Sequence, residues 1–267
     1  MEKKFKLGVI GAGFMSNAII NGILNAKTLN ANEIIVSDIN DVALDNLAKK
    51  GIATTKNNSE VFSSSTYLLL AIKPQTFIAL NDGDADKVEK VISIMAGVNK
   101  AKIRNTFKNA KVVRCMPNTP VSVGFGAIGI DASEFTDNLD INFINSIFSS
   151  VAKIVFVGED KLSAVTGISG SSPAYFYLFA KSLIDAGVKS GLSETEAESL
   201  VLSTMKGSVL MMENRGDKTL NDLITAVCSK GGTTIEAMKV FEDENLPLIT
   251  EKAVNACINR ANELEKL

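Results

Sequence analysis

Lys6-Leu7-Gly8-Val9-Ile10-Gly11-Ala12-Gly13-Phe14-Met15-Ser16 is the stretch on which the reading of the whole chain turns. An apolar run of strand length ends in a glycine turn, after which Ala18, Ile19, Gly22 and Ile23 repeat at helical spacing. Strand, glycine turn and helix in that order open a βαβ unit. Gly11 permits the tight turn, and Gly13 lets a pyrophosphate approach backbone amides at the positive end of the helix. Ser16 stands where the dinucleotide fingerprint has its third glycine, and its side chain is small enough for helix to pack on strand. Gly11, Ala12, Gly13, Phe14 and Met15 are thus the candidate dinucleotide-binding turn.

Asp38 closes the next β-rich run, ~25 residues after Gly13. A carboxylate there accepts hydrogen bonds from ribose hydroxyls and repels a 2′-phosphate. Asn40, and the absence of a nearby Arg or Lys along the chain, point the same way, so this end of the sequence leans to NADH. The alternative for Asp38 is a helix N-cap ahead of Val42.

Outward from the turn, short β-rich runs alternate with helical patterns, the arrangement of parallel strands joined by crossover helices. The strands are expected at Lys6–Ile10, Glu33–Ser37, Thr66–Ile72, Val91–Met95, Lys111–Cys115, Gly126–Gly129 and Lys153–Val157. From about Leu162 long amphipathic helices take over. Ser193 with Glu196, and Thr219 with Asp222, have capping-box spacing; Gly191 marks a break between helices, and Pro173 and Pro247 suit first turns. Met205, Val209, Leu210, Met211 and Met212 fall on more than one face of one helix, which suggests burial in a subunit interface. The fold class is α/β: a Rossmann-like parallel-sheet domain over 1–160, followed by an all-α dimerisation domain over 161–267.

Composition narrows the chemistry. Among 267 residues, 28 basic and 30 acidic side chains give a formal charge of −2, with no electrostatic case for nucleic acid or an anionic membrane. No run approaches the ~20 apolar residues that cross a bilayer, and Met1–Lys6 lacks the apolar stretch of a signal peptide. Cys115, Cys228 and Cys257 are widely spaced and odd in number, which suits the reducing cytoplasm, and nothing near them in sequence marks a nucleophile. The chain contains no histidine. Ser-His-Asp triads, His-ligated zinc and imidazole acid–base catalysis are therefore excluded.

The second informative stretch is Val227-Cys228-Ser229-Lys230-Gly231-Gly232-Thr233-Thr234-Ile235-Glu236-Ala237. Glycines and hydroxyls ahead of a helix gather free N–H groups around a small concavity that suits a carboxylate, or they merely cap the helix. This stretch resembles a motif of the pyrroline-5-carboxylate reductases. Ala71-Ile72-Lys73-Pro74, Arg114-Cys115-Met116-Pro117-Asn118-Thr119-Pro120 and Gly167-Ile168-Ser169-Gly170-Ser171-Ser172-Pro173-Ala174-Tyr175 resemble the same family in the same order. With the N-terminal turn, the likeness spans nearly the whole chain.

The resemblance implies NAD(P)H-dependent reduction of the cyclic imine 1-pyrroline-5-carboxylate to proline, the last step of proline biosynthesis. It implies a homo-oligomer too: an interlocked dimer, with further assembly into a ring open to it. The active site would lie where one subunit's cofactor faces the helical domain of the dimer. Ile72, Lys73, Pro74 and Ala96 would border the nicotinamide half, and Asn58 the adenosine half. Ser229, Gly232, Thr233 and Thr234 would hold the substrate's carboxylate and ring nitrogen, and Glu159 matches a position near the substrate. Lys230 departs from the family's usual proline, and Ala226 from an asparagine that some relatives set against the cofactor.

A protonated imine is itself electrophilic, so the chemistry needs alignment more than a strong acid, consistent with a chain that has no imidazole. Thr234 is the candidate to fix the ring nitrogen. Lys73, at the carboxyl end of a strand, is the second catalytic candidate, the alternative being a solvated strand end. Two other classes fit less well. A β-hydroxyacid dehydrogenase needs a lysine spaced from its glycine segment as neither Lys181 nor Lys189 is, and a redox-sensing regulator needs a basic DNA-reading segment.

Overall fold

The computed structural model describes residues 3–78, 80 and 84–266. Met1 and Glu2, the start of the segment read for a signal peptide, lie outside the described residues. The strands are β1 (Phe5–Ile10), β2 (Ile34–Ser37), β3 (Ala53–Thr55), β4 (Ser65–Leu70), β5 (Lys90–Ser93), β6 (Lys111–Pro117), β7 (Gly126–Asp131) and β8 (Ala152–Phe156). Among the described residues they form one eight-stranded sheet in the order β3-β2-β1-β4-β5-β6-β7-β8. Helices α1 (Phe14–Asn25), α2 (Asp41–Ala48), α3 (Asn58–Ser64), α4 (Pro74–Ile78), α5 (Lys100–Thr106) and α6 (Asn138–Ser149) lie between strands in the chain.

The central strands are buried on both faces, which is why they read as continuous apolar runs rather than alternating ones. On one face Leu7 and Val9 pack with Ile19, Ile20 and Ile23 of α1 and with Ile144 and Ile147 of α6. On the other, Ile10, Leu70 and Val91 pack with Phe62 of α3 and Ile103 of α5. There Phe62 meets Phe107 edge to face at 5.3 Å.

Two features depart from the expected sheet. Strand β3 was not foreseen, because three residues carry too little periodicity to register. Strand β7 runs antiparallel to β6, whereas the other pairs are parallel. The reason is chain length: a parallel return needs a crossover of roughly a dozen residues or more. Only the segment 118–125, with its short turn Thr119–Val123, joins these two strands.

The chain divides into two compact units, Met1–Pro173 with Ala256–Leu267, and Ala174–Asn255. The sequence turns helical at about 160, but α7 (Leu162–Val165) still packs on the sheet; a methyl on Gly129 of β7 would stand 2.8 Å from Val165. The packing boundary therefore falls later than 160/161.

The second unit is helical. It takes in α8 (Ser172–Lys189) from Ala174 onward, α9 (Glu194–Glu213), α10 (Leu220–Val227), α11 (Thr233–Asp243) and α12 (Leu246–Lys266) as far as Asn255. Both expected capping boxes are present, Ser193 with Glu196 and Thr219 with Asp222. Gly191 has φ +103° at the break between α8 and α9, and Pro173 and Pro247 occupy first turns. Ala197 of α9 packs against Gly187 of α8, and Phe179 meets Phe241 of α11 at 6.4 Å.

Candidate active site

Strand β1 lies between β2 and β4, so the chain leaves it first to one side and then to the other. Such a switch point opens a crevice at the carboxyl ends of the strands, the usual seat of a nucleotide in an open α/β sheet. Gly11 turns there with φ +102°, its amide held by the Ser37 carbonyl at 2.8 Å. A methyl at Gly11 would stand 2.6 Å from the Ala71 carbonyl oxygen, so only glycine fits.

Asp38 does not cap α2; Asn40 does, its Oδ1 accepting the Ala43 amide at 3.1 Å. Asp38 instead joins the two turns. Its Oδ2 accepts the Ala12 amide at 2.6 Å and its Oδ1 the Asn40 amide at 2.8 Å. The Ala12 amide is thereby committed within the protein, and the donors left for a phosphate are those of Gly13, Phe14 and Met15 at the start of α1. Gly13 is the N-cap, with no side-chain hydrogen bond, and nothing lies within 4 Å of where a methyl on it would be. Open space over unsatisfied amides at a helix N-terminus fits a pyrophosphate. Ser16 is buried, as packing requires, and its hydroxyl donates to the Gly13 carbonyl at 3.0 Å. Asn17, which the sequence did not single out, braces the turn through Nδ2, donating to the Ala12 and Gly13 carbonyls at 2.7 and 2.9 Å.

At the carboxyl end of β2 the buried Ser37 hydroxyl donates to Asn58 Oδ1 at 2.6 Å, fixing the side chain of Asn58. Strands β2 and β3 run parallel with Ser37 abreast of Thr55, and the Asp38 amide donates to the Thr55 carbonyl at 3.4 Å. The next residue, Lys56, therefore comes level with Asp38, and its Nζ stands 2.6 Å from Asp41 at the start of α2. The expectation of no cation near Asp38 holds along the chain and fails in space.

Ile72, Lys73 and Pro74 leave the end of β4, with Ile72 Cγ2 beside Gly11. Pro74 begins α4, and the Lys73 carbonyl accepts the Thr76 and Phe77 amides. Lys73 is exposed, and among the described residues its ammonium has no ion-pair partner. Ala96 follows β5 and lines a cavity of about 260 Å³ with Gly97, Arg114, Met116, Ser171 and Cys257. Arg114, 3% exposed, spans two carboxylates, Glu159 at 3.0 Å and Glu265 at 2.7 Å. Glu159 Oε1 accepts the Lys100 amide as well, at 2.8 Å. Glu265, in the last turn of the chain's final helix, is thus turned toward the buried guanidinium rather than toward water. Beside it, Lys100 is buried against Asp131 at 2.8 Å. Burial alone would raise the Asp131 carboxyl, but hydrogen bonds from Lys100 and Ser133 outweigh that and hold it below the ordinary carboxylate range. Cys115 is buried, and loss of solvent pushes its thiol far up, which leaves it inert.

The remaining candidates lie together in the helical unit. Between α10 and α11, residues 229–232 form a tight turn in which the Gly232 amide donates to the Ser229 carbonyl at 3.0 Å and Gly231 has φ +76°. A methyl on Gly232 would stand 2.5 Å from Ser229 Oγ. Gly232 caps α11 without a side-chain hydrogen bond, and Thr233 and Thr234 are exposed on its first turn. The plain cap is therefore not made by a hydroxyl: the threonine side chains and first-turn amides are left for a ligand, and a carboxylate fits them.

Comparison with known proteins places this geometry in context. Residues 159–264 match the model for pyrroline-5-carboxylate reductase dimerisation, and residues 6–97 that for F420-dependent NADP oxidoreductases. The chain is 36% identical to the pyrroline-5-carboxylate reductase of Synechocystis, over 98% of each chain. It is 35% identical to that of Haemophilus influenzae, again over 98% of each. Among solved structures, the pyrroline-5-carboxylate reductase of Coxiella burnetii aligns with a TM-score of 0.89 at 33% identity, covering 99% of this chain and all of that one. The Plasmodium falciparum enzyme, solved with NADP bound, aligns at 0.85 and 29% identity over 99% and 100% of the two chains.

Proposed function

The chain belongs to the pyrroline-5-carboxylate reductase family, and from that premise we propose how its own residues share the work. It is an NAD(P)H-dependent oxidoreductase that reduces the C=N bond of 1-pyrroline-5-carboxylate to L-proline, the last step of proline biosynthesis. The cofactor, when bound, supplies the hydride. In this reading residues 1–160 bind the dinucleotide and 161–267 bind the substrate and form the subunit interface. Gly11 shapes the phosphate turn, Gly13, Phe14 and Met15 donate to the phosphates, and Ala12 holds Asp38 in place. Asp38 and Asn58 face the adenosine, while Ile72, Lys73, Pro74 and Ala96 border the nicotinamide.

The observation that carries the substrate assignment is the start of α11, where Gly232 caps without a side chain and leaves two exposed threonines. Ser229, Gly232 and Thr233 hold the carboxylate at that N-terminus, where the helix field favours an anion. The Thr234 hydroxyl bonds the protonated ring nitrogen and fixes which face of the ring meets the hydride. Lys73, exposed just past the carboxyl end of β4, steers the anionic substrate; Glu159, with one oxygen committed to Arg114 and Lys100, borders the ring. The chain carries the family's dimerisation segment and is a homo-oligomer. An interlocked dimer, open to ring assembly, is the proposed form, and the cytoplasm the proposed location, on the strength of three unpaired thiols.

The test is oxidation of NADH and NADPH by purified protein with pyrroline-5-carboxylate, alongside Thr234→Ala. Loss of a hydrogen bond to a charged group costs about 1.5–3 kcal/mol, so turnover should fall roughly ten- to a hundredfold. NADH affinity should not change. Undiminished turnover in Thr234→Ala would remove Thr234 from the mechanism.

A further inference from the structure

The sheet register sets Lys56 at the carboxyl edge level with Asp38, where a doubly wound fold places the ribose of the adenosine half. A 2′-substituent on a ribose seated there would face the turn 38–40 and Lys56. Asp38, the residue that would exclude a 2′-phosphate, has each carboxylate oxygen engaged by a backbone amide, Ala12 on one side and Asn40 on the other. Those two N–H dipoles point at the carboxylate and offset part of its charge. Lys56 is 59% exposed and its partner Asp41 71% exposed. An exposed pair of this kind is weakly held and screened by water, so the lysine is free to exchange one carboxylate for a stronger anion. A phosphate monoester, with close to two charges and three acceptor oxygens, is that anion.

We propose that Lys56 is a specificity-determining residue: it leaves Asp41 to bind the 2′-phosphate of NADPH, so that the chain accepts both reduced nucleotides despite Asp38. The inference rests on the assignment of the glycine turn as the dinucleotide site and adds to it the residue that reads the 2′ position. Asp41 acts as the lysine's resident counterion and competes with the phosphate.

The experiment measures binding rather than turnover. The chain has no tryptophan, so titration of NADH and NADPH is followed by nicotinamide emission or by calorimetry. Lys56→Ala should weaken NADPH about tenfold, the size expected for one solvent-screened charge contact, and leave NADH within about twofold. Asp41→Asn should tighten NADPH alone. Raising salt to about 1 M, where the Debye length is ~3 Å, should shrink the NADPH effect and not the NADH affinity. Loss of both nucleotides to the same extent in Lys56→Ala, or of neither, overturns the role of Lys56 while leaving the dinucleotide site intact. Native protein that binds neither nucleotide overturns the site assignment itself, and Lys56 with it.

Discussion

At Gly11 the backbone stands at φ +102° with the Ala71 carbonyl oxygen 2.6 Å from the place of a methyl, so Gly11→Ala strains the chain before any ligand arrives. A side chain forced into such a conformation costs about 1–3 kcal/mol, and melting should show it without cofactor. Gly13, two residues on, has φ −76° and open space above it. Gly13→Ala should therefore leave thermal stability within about 0.5 kcal/mol of native and yet weaken NADH, because the methyl occupies the approach of the phosphates. Melting curves and nucleotide titrations on the two variants separate a glycine needed by the fold from one needed by the ligand; a Gly11→Ala protein that melts at the native temperature would refute the distinction. Both glycines were legible in the sequence, since turn chemistry is local. Lys56 and Asn17 were not. The first is brought level with Asp38 by strand pairing, and the second clamps carbonyls already committed to a turn, neither of which leaves a periodic trace.

Helix α6 is fastened at its first turn to the opposite end of the sheet from the crevice. Asp140 accepts from the Tyr67 phenol and from Lys90 at 2.6 Å, and Tyr67 stacks on Phe143 at 3.9 Å. Burial would raise the Asp140 carboxyl, but hydrogen bonds from Lys90 and Tyr67 prevail and keep it below its ordinary 3.8; burial and Asp140 together push the Tyr67 phenol far up. The sign of the pH dependence follows. Below pH 3.8 the unfolded chain takes up the proton more readily than the folded one, so this contribution is complete at neutral pH and fades as pH falls through the depressed folded value. Asp140→Asn, which keeps the shape and removes the charge, should cost about 1.5–3 kcal/mol at pH 7. The gap from native in melting temperature should narrow toward pH 3; a gap that stays constant would show that the charge contributes nothing. This fastening could not be read from sequence, because Tyr67, Lys90 and Asp140 stand on three different elements. What could be read at this scale was what local pattern determines: seven of the strands and both capping boxes. The antiparallel turn of β7 escaped because strand direction depends on how much chain is left to return, not on the strand's own residues.

Across the whole molecule, the sharp change in sequence character near 160 was visible, but the return of the last helix was not: α12 enters the sheet unit at Ala256 and sets Glu265 on buried Arg114. Only long-range packing reveals that a run of Glu and Lys hides an inward carboxylate. The helical unit shows the reverse: apolar residues that helical periodicity would normally bury stay exposed, among them Phe176, Tyr177 and Leu178 of α8 and Val209, Leu210 and Met211 of α9. Single exposed apolar residues are ordinary, but a helix apolar on several faces is stable only when something covers it. The match of 159–264 to a dimerisation model supports a second copy as that cover. A charge placed in the middle of that surface tests this. Met211 is 62% exposed in the single chain, so Met211→Glu is harmless if the face is wet. If the face is buried between copies, an unpaired carboxylate there costs several kcal/mol per subunit, enough to undo an interface of ordinary size. Light scattering should then report the 28.5 kDa single chain in place of the native oligomer. Nucleotide should still bind, because the glycine turn, Asp38 and Lys56 all lie in the sheet unit, whereas turnover should vanish with the assembly. An oligomer of native mass with full turnover would mean that α9 faces water and that the subunits meet elsewhere.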